Sequence, residues 1–272
     1  MTAYIYIGKK GSDSDERIIR LKESLESGGW SVVQGISAEE LPSGTDMILS
    51  VGGDGSFLSA SSVASRLGIP IVGVNLGRLG FLSENRPDDV AHALLSGEYE
   101  IEERGILSAR LIGSCLTQPE EFTALNEVTV HRSGAAMLGV DVMIGGEKLP
   151  TYWADGLVIS TSSGSTAYSL SVGGPIVRPQ SKVLIISPIA PHNLNVRPLV
   201  VPDSSEIVLS MHSRDSQFTF TSDNRNVCAS SDTIVEVSMA QFSLKRVRLN
   251  KSDFINALTE KLFWGEDVRN IK

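Results

Sequence analysis

Several things are scarce in this chain of 272 residues. It has 2 cysteines, 4 histidines, no long apolar run and no excess of positive charge. Two cysteines, Cys115 and Cys228, are too few for a disulfide scaffold and their separation matches no metal-ligand spacing, so both are expected to be reduced thiols in the core. Four scattered histidines, His92, His131, His192 and His212, form no paired zinc-binding pattern. No apolar segment approaches the roughly 18–20 residues needed to span a bilayer, and Met1–Gly8 lacks a basic leader, so a soluble, cytoplasmic chain with no membrane partner is expected. With 24 Lys and Arg against 32 Asp and Glu, the net charge is −8, and no basic run exists to neutralise a nucleic-acid backbone. A small anionic ligand is still permitted.

What is abundant is glycine, 25 residues, clustered at Gly52-Gly53-Asp54-Gly55, between Gly73 and Gly80, at Gly145-Gly146 and at Gly173-Gly174. Clustered glycine implies backbone held close to something, although Gly145-Gly146 reads as a simple hairpin turn.

The periodicity divides the chain. Residues 1–102 alternate short buried strands (Ala3–Gly8, Trp30–Gln34, Asp46–Val51, Ile69–Asn75) with helices (Ser12–Gly28, Ser56–Leu67, Asp88–Leu95), the pattern of a doubly wound α/β domain with a parallel sheet. Residues 103–250 offer about ten short β-rich runs, among them Phe122–His131, Leu157–Thr161, Thr233–Met239 and Phe242–Leu249, which predicts an all-β second domain, a β-sandwich. Residues 251–272 return to helix, with Ser252 as a possible cap and Ile255, Leu258, Leu262 and Phe263 on one face; the helix is expected to pack on the first domain.

Three constellations carry chemistry. The first is Val51-Gly52-Gly53-Asp54-Gly55-Ser56, where a buried strand passes into a helix. Ligands of open parallel sheets sit at the carboxyl ends of strands, and a glycine-rich turn leaves amide hydrogens free to face phosphates. A carboxylate there either holds Mg²⁺ or takes a proton from an attacking hydroxyl, both of which mean phosphoryl transfer; alternatively Asp54 only caps the following helix. The turn is neither a P-loop nor a dinucleotide fingerprint.

The second runs from Asp155-Gly156 through Ser160-Thr161-Ser162-Ser163-Gly164-Ser165-Thr166-Ala167-Tyr168-Ser169-Leu170-Ser171. Its hydroxyls and free amides suit phosphate, ribose and base edges, and Tyr168 offers a ring for stacking; a plain Ser/Thr-rich surface loop is the alternative. The third is Asn126-Glu127 within an apolar strand, where an Asn side chain can read an adenine edge, or where the pair only marks a turn.

Taken together these segments resemble the bacterial NAD kinases. GGDG at Gly52–Gly55, NLGRLGF at Asn75–Phe81, NEV at Asn126–Val128, ADGL at Ala154–Leu157, GSTAYSLS at Gly164–Ser171, GGPI at Gly173–Ile176 and IAPHNL…RP at Ile189–Pro198 occur in that family's order. The resemblance implies transfer of the terminal phosphoryl group of ATP, or of another donor, to the 2′-hydroxyl of the adenosine ribose of NAD, with a divalent cation, Mg²⁺ by family habit, as companion. It makes Asp54 the catalytic carboxylate, also in contact with NAD beside Gly55, and gives Gly52, Gly53 and Gly55 to the phosphates. It assigns Asn126, Glu127, Asp155, Thr166, Ala167, Tyr168, Ser169, Leu170 and Ser171 to NAD. It implies a homodimer or homotetramer. Lipid and sugar kinases share the GGDG turn, and a binding protein without turnover is a further alternative.

The chain departs from the family in having Ser59 and Trp153 where many members carry cations, and Ser162-Ser163 in place of Pro-Thr. The family's Asp-Gly-Gln-like element reads Asp223-Asn224-Arg225 here, and its Arg225 is the expected replacement cation for the phosphoryl donor, with Arg78 and Arg197 as alternatives.

Overall fold

The computed structural model describes residues 1–8, 14–77, 80–113, 119–249 and 254–264. They form two compact units, Met1–Glu103 with Leu244–Lys272, and Arg104–Ser243.

The first unit contains β1 (Thr2–Ile7), α1 (Glu16–Ser27), β2 (Ser31–Gly35), β3 (Met47–Val51), α2 (Asp54–Leu67), β4 (Ile71–Val74) and α3 (Pro87–Ser96). Its strands pair in parallel in the order β2-β1-β3-β4. Strand periodicity sends Ala3, Ile5 and Ile7 to the face where Ile18, Leu21 and Leu25 of α1 and Val90, Ala93 and Leu94 of α3 bury their apolar stripes. Phe57, Ala60 and Ala64 of α2 are buried too, outside that cluster, so helices cover both faces of the sheet, as the alternating pattern predicts. Each helix has a local cause. Asp15 caps α1 by accepting from the Arg17 amide, Pro87 opens α3, and Gly68 and Gly97 end α2 and α3 in the left-handed region.

The chain passes between the units on β5 (Tyr99–Ile112). The second unit then contains β6 (Glu120–Ala124), β7 (Glu127–Arg132), β8 (Leu138–Ile144), β9 (Glu147–Lys148), β10 (Tyr152–Ala154), β11 (Gly156–Thr161), a 3-10 turn at Ser163–Thr166, α4 (Tyr168–Ser171), β12 (Val183–Ile189), β13 (Leu199–Pro202), β14 (Ile207–His212), β15 (Gln217–Ser222) and β16 (Arg225–Ser230). The long β17 (Ile234–Leu249) leads back to the first unit, where Arg246 pairs with Ile71 of β4, and α5 (Phe254–Leu262) follows.

One sheet of the second unit runs β13-β12-β11-β7-β15-β16, antiparallel throughout. The facing strands include β10-β8-β14 and the first half of β17. Val128, Val130, Leu157, Ile159, Phe218 and Phe220 from the first sheet meet Leu138, Val140, Val142, Leu209, Val235 and Val237 from the second in one core, which makes the sandwich. Gly145 (φ 55°) and Gly146 (φ 89°) form the two-residue turn between β8 and β9, the hairpin read from the sequence.

Several local expectations need correction. The single run Phe122–His131 breaks at Leu125-Asn126 into β6 and β7, and the runs at 233–239 and 242–249 fuse into β17. Strand β16 was not expected, because RNVCAS lies at a sheet edge and shows no apolar alternation. Cys228 lies on that edge, exposed rather than in the core, with its thiol donating to Gln217 Oε1 at 3.3 Å; Cys115 lies outside the described residues. On α5 the buried positions are Ala257 and Leu258, whereas Ile255 and Phe263 are exposed; Ser252 is also outside the described residues. No helix among the described residues is long and apolar enough to cross a membrane.

Candidate active site

In the first unit, β3 ends at Val51 and the chain turns through Gly52 (φ 144°) into α2, whose first residue is Asp54. Position 52 needs glycine both for that dihedral and because a Cβ would lie 2.3 Å from Ser56 Oγ. Gly53 is the N-cap, so Asp54 does not cap the helix. Its carboxylate instead reaches the segment after β4, where Oδ2 accepts from the Phe81 amide at 2.9 Å and Oδ1 from the Leu82 and Ser83 amides at 3.0 and 2.9 Å. A carboxylate offers about four acceptor positions, so three amides fix its orientation and leave one position, on Oδ2, for another donor.

That segment is itself held in place. Asn75 donates to the Ser83 carbonyl at 3.1 Å and accepts from the Gly77 amide, Asn85 donates to the Gly73 carbonyl, and Gly80 donates to the Ser83 carbonyl. A Cβ on Gly80 would overlap Asp54 Oδ1, at 2.0 Å, and one on Gly73 the Leu82 carbonyl, at 2.4 Å, which explains the glycines of this stretch. A Cβ on Gly53 or Gly55, by contrast, would meet nothing within 4 Å, so the backbone on both sides of Asp54 is open to a ligand. Lys261 of α5, which no motif marks, donates to the Gly80 carbonyl, stands 4.9 Å from the centroid of the Phe81 ring and feels the charge of Asp54; burial pushes its ammonium group below the usual lysine range. The C-terminal helix therefore packs on the first unit, against the segment that orients Asp54.

In the second unit, the Asn126-Glu127 pair lies at the break between β6 and β7. The Asn126 carbonyl accepts from the Thr161 amide at 2.8 Å, Thr161 Oγ1 donates to the Leu125 carbonyl at 2.6 Å, and the Gly164 amide donates to Thr161 Oγ1 at 3.0 Å. These bonds seat the 3-10 turn directly on the 125–127 backbone. Tyr168 follows, half-buried, its ring stacked on His131 with centroids 5.8 Å apart and planes 15° from parallel. Its amide donates to the Glu127 carboxyl group, and Asp155 is near enough to act on both the Tyr168 and His131 charges. Asp155 Oδ1 accepts from Arg132 Nε at 2.7 Å. Asn126, Glu127, Asp155 and Tyr168, distant in sequence, thus belong to one constellation with His131 and Arg132.

Thr166 and Ala167 are half-buried on the same turn, Leu170 is half-buried and Ser171 is exposed. Ser169 differs: it is fully buried, its hydroxyl lies 3.3 Å from Ser187 Oγ, and it supports the turn from within. Arg225 stands over the Phe122 ring at 5.6 Å and is exposed. Arg197 donates to the carbonyls of Leu194 and Val196, and Arg78 lies outside the described residues. Ser59 donates to the Gly55 carbonyl, one turn along α2. Trp153 is exposed, and a Cβ on Gly139 would meet its ring at 2.8 Å.

Sequence reasoning missed Arg132, His131, Lys261 and the role of Asp223. No motif flagged the first three, and Asp223 entered only as the first residue of the Asp223-Asn224-Arg225 element, with no role assigned to it. Among the described residues no three His, Cys, Asp or Glu side chains come together to hold a metal ion, and Asp54 is already engaged by amides.

The ATP-NAD kinase N-terminal domain model matches residues 22–99, and the ATP-NAD kinase C-terminal domain model matches residues 125–249. An NAD kinase of Flavobacterium psychrophilum is 40% identical over 242 residues, 86% of this chain and 81% of the relative. One of Heliobacterium modesticaldum is 44% identical over 228 residues, 81% of this chain and 79% of the relative. Among solved structures, yeast NADH kinase complexed with NADH superposes with a TM-score of 0.88 at 24% identity, over 100% of this chain and 90% of that one, and shares the fold. An NAD kinase from Archaeoglobus fulgidus in complex with ATP gives 0.74 at 26% identity, over 92% and 95%. With both domain models matched in order and relatives at about 40% identity over most of its length, the chain belongs to the ATP-NAD kinase family.

Proposed function

We propose that this chain makes NADP by moving the terminal phosphoryl group of ATP to the 2′-hydroxyl of the adenosine ribose of NAD, with Asp54 as the catalytic carboxylate. The observation that carries the assignment is the Asp54 carboxylate at the start of α2, pinned by three amides with one acceptor position left on Oδ2. In the reaction, the 2′-oxygen forms a bond to the γ-phosphorus, the bond from that phosphorus to the bridging oxygen breaks, and ADP leaves with the electron pair. Asp54 Oδ2 accepts the proton that the hydroxyl loses. A preoriented acceptor lowers the barrier because nothing must reorganise when the proton moves.

Gly53 and Gly55 offer the phosphates the open backbone on either side of Asp54; Gly52, whose amide already donates to the Val74 carbonyl at 2.9 Å, serves them only through the turn it allows. Asn126, Glu127, Asp155, Thr166, Ala167, Tyr168 and Ser171 take NAD; Ser169 and Leu170 act by holding that turn. Arg225, exposed and free to reach a polyanion, is the cation offered to the donor. A divalent ion, Mg²⁺ by the family's habit, accompanies ATP as part of the substrate. A cytoplasmic homodimer or homotetramer belongs to the same reading, on the family resemblance alone.

The test is a coupled assay with purified protein and Mg²⁺, pairing ATP or polyphosphate with NAD, NADH or diacylglycerol. NADP from ATP and NAD is the expected product. Phosphorylation of the lipid alone, or NAD binding without turnover, would overturn the proposal. A second expectation concerns Tyr168. The Tyr168 ring is stacked on His131, and we place the adenine base against its other face; base–aromatic stacking contributes about 1–3 kcal/mol, so Tyr168→Ala should raise the KM for NAD about tenfold and change kcat much less. An unchanged KM would place Tyr168 outside the pocket.

A further inference from the structure

Asp223 sits in the turn between β15 and β16 with φ +49°, a left-handed conformation that Asp tolerates better than most residues. From there its side chain crosses to the break between β6 and β7. Oδ2 accepts from the Leu125 amide at 2.8 Å, Oδ1 accepts from the Asn126 and Glu127 amides at 2.9 and 3.2 Å, and the Asp223 amide donates back to the Glu127 carbonyl at 3.0 Å. Four bonds from one residue therefore define the three residues that carry the Asn126-Glu127 pair.

Glu127 has an unusual carboxyl group beside this clamp. One oxygen takes the Tyr168 amide, while Oε2 is buried with no partner in the protein. Buried polar atoms are nearly always satisfied, so an orphan beside a ligand turn points to a bond made with the ligand. The groups acting on Glu127 are Asp223, from the β15–β16 turn, and Tyr168, from α4. Burial and the Asp223 charge push the Glu127 carboxyl up to about 8, against the Tyr168 amide. Burial also raises Asp223, against its three amides. Amides stabilise an anion, and Asp223 has three of them where Glu127 has one, so the proton of this pair resides on Glu127.

We propose that Asp223 is a positioning residue for NAD: it fixes the 125–127 backbone and sets Glu127 as a hydrogen-bond donor toward an acceptor atom of the adenosine. A neutral carboxyl group can give its O–H to a ring nitrogen or a ribose oxygen; an ionised one offers only acceptors. An uncharged Glu127 also avoids repelling the pyrophosphate. The inference rests on the reading of Glu127 as an NAD contact, and Asp223 acts through it.

Titration calorimetry of the full chain with NAD, from pH 6.5 to 9.5, tests this. The wild type should bind with a constant Kd below about pH 8 and weaken toward tenfold per pH unit above it. Glu127→Gln, a donor that does not ionise, should bind severalfold more weakly at pH 7 and lose the alkaline decline. Asp223→Asn should weaken binding about tenfold and move the decline to lower pH, because the neighbouring charge that retains the proton is gone. A mere loss of packing would weaken binding without moving the decline. Wild-type affinity and an unmoved decline in Asp223→Asn would overturn the inference, as would a wild type with no decline, a result that needs no variant to fold. If Glu127→Gln matches the wild type in both affinity and pH dependence, the assignment of Glu127 to NAD fails instead.

Discussion

Asp54→Asn should bring kcat down by about 10²–10⁴ while NAD binding stays within a few fold of the wild type. The size of the effect follows from what the change removes. Asparagine has nearly the same shape, so Gly53, Gly55 and the helix start are undisturbed, but its amide cannot accept the proton that leaves the 2′-hydroxyl. The geometry adds a second effect. In the wild type both carboxylate oxygens accept amides, Oδ2 from Phe81 and Oδ1 from Leu82 and Ser83. An asparagine oxygen can replace Oδ1, whereupon its NH₂ faces the Phe81 N–H, donor against donor. Leaving one such donor unsatisfied costs about 1–3 kcal/mol, so the variant should also melt several degrees lower. Steady-state kinetics with ATP and NAD, together with a melting curve, read both effects. Turnover within tenfold of the wild type would remove Asp54 from the mechanism, and an unchanged melting temperature would show that the amides at 81–83 find other partners.

The same carboxylate shows what was legible in the sequence and what was not. A buried run, MILSV, followed by GGDG and an apolar helical pattern, locates a strand, a turn and a helix, and the structure places them at β3, Gly52-Gly53 and α2. Local propensity and burial suffice for that. The partners of Asp54 do not follow from it, because amides at 81–83 come together with residue 54 only through the β3–β4 crossover, and an amide leaves no mark in composition. Asp223 is a stronger case. In sequence it is a turn residue between two strands; in the fold its side chain organises residues nearly a hundred positions earlier.

The break at Leu125-Asn126 was hidden for a related reason. Phe122–His131 is β-rich on both sides of Asn126-Glu127, and that pair reads equally as a ligand contact within one strand or as a turn; what ends β6 there is the set of amides that Asp223 captures and the Thr161 bonds to both carbonyls. Ser169, read as one of a row of ligand hydroxyls, turns inward to Ser187 because four helical residues cannot all face the same way. Motif spacing identifies the segment; periodicity and packing decide which of its side chains point outward.

Gly164→Ala should be the most damaging single methyl group in the second unit. A Cβ at this position would stand 2.2 Å from the Asn126 carbonyl oxygen, 2.6 Å from its carbon and 2.7 Å from the Asn126 Cα, and all three are backbone atoms with no rotamer in which to retreat. Neither side can yield cheaply. The 3-10 turn is tied to the strand through Thr161 Oγ1 and the Thr161 amide, and residue 126 is tied from the other side by Asp223. Overpacking of this kind costs about 1–3 kcal/mol, the upper end being expected where the contact is backbone on backbone. Relief requires the turn to lift by about an ångström, which moves Thr166, Ala167 and Tyr168 away from Asn126 and Glu127. A misplacement of about that size costs on the order of a hundredfold where several groups must meet one ligand together. Gly164→Ala should therefore lose several degrees of melting temperature and weaken NAD binding by ten- to a hundredfold in calorimetry, even though position 164 contributes no side chain to the ligand. Wild-type stability and affinity would show that the turn moves without consequence and that the two segments do not share one ligand. A stable variant that fails only to bind would show that the strain resides in the turn and that its seat on the 125–127 backbone is what NAD recognition requires.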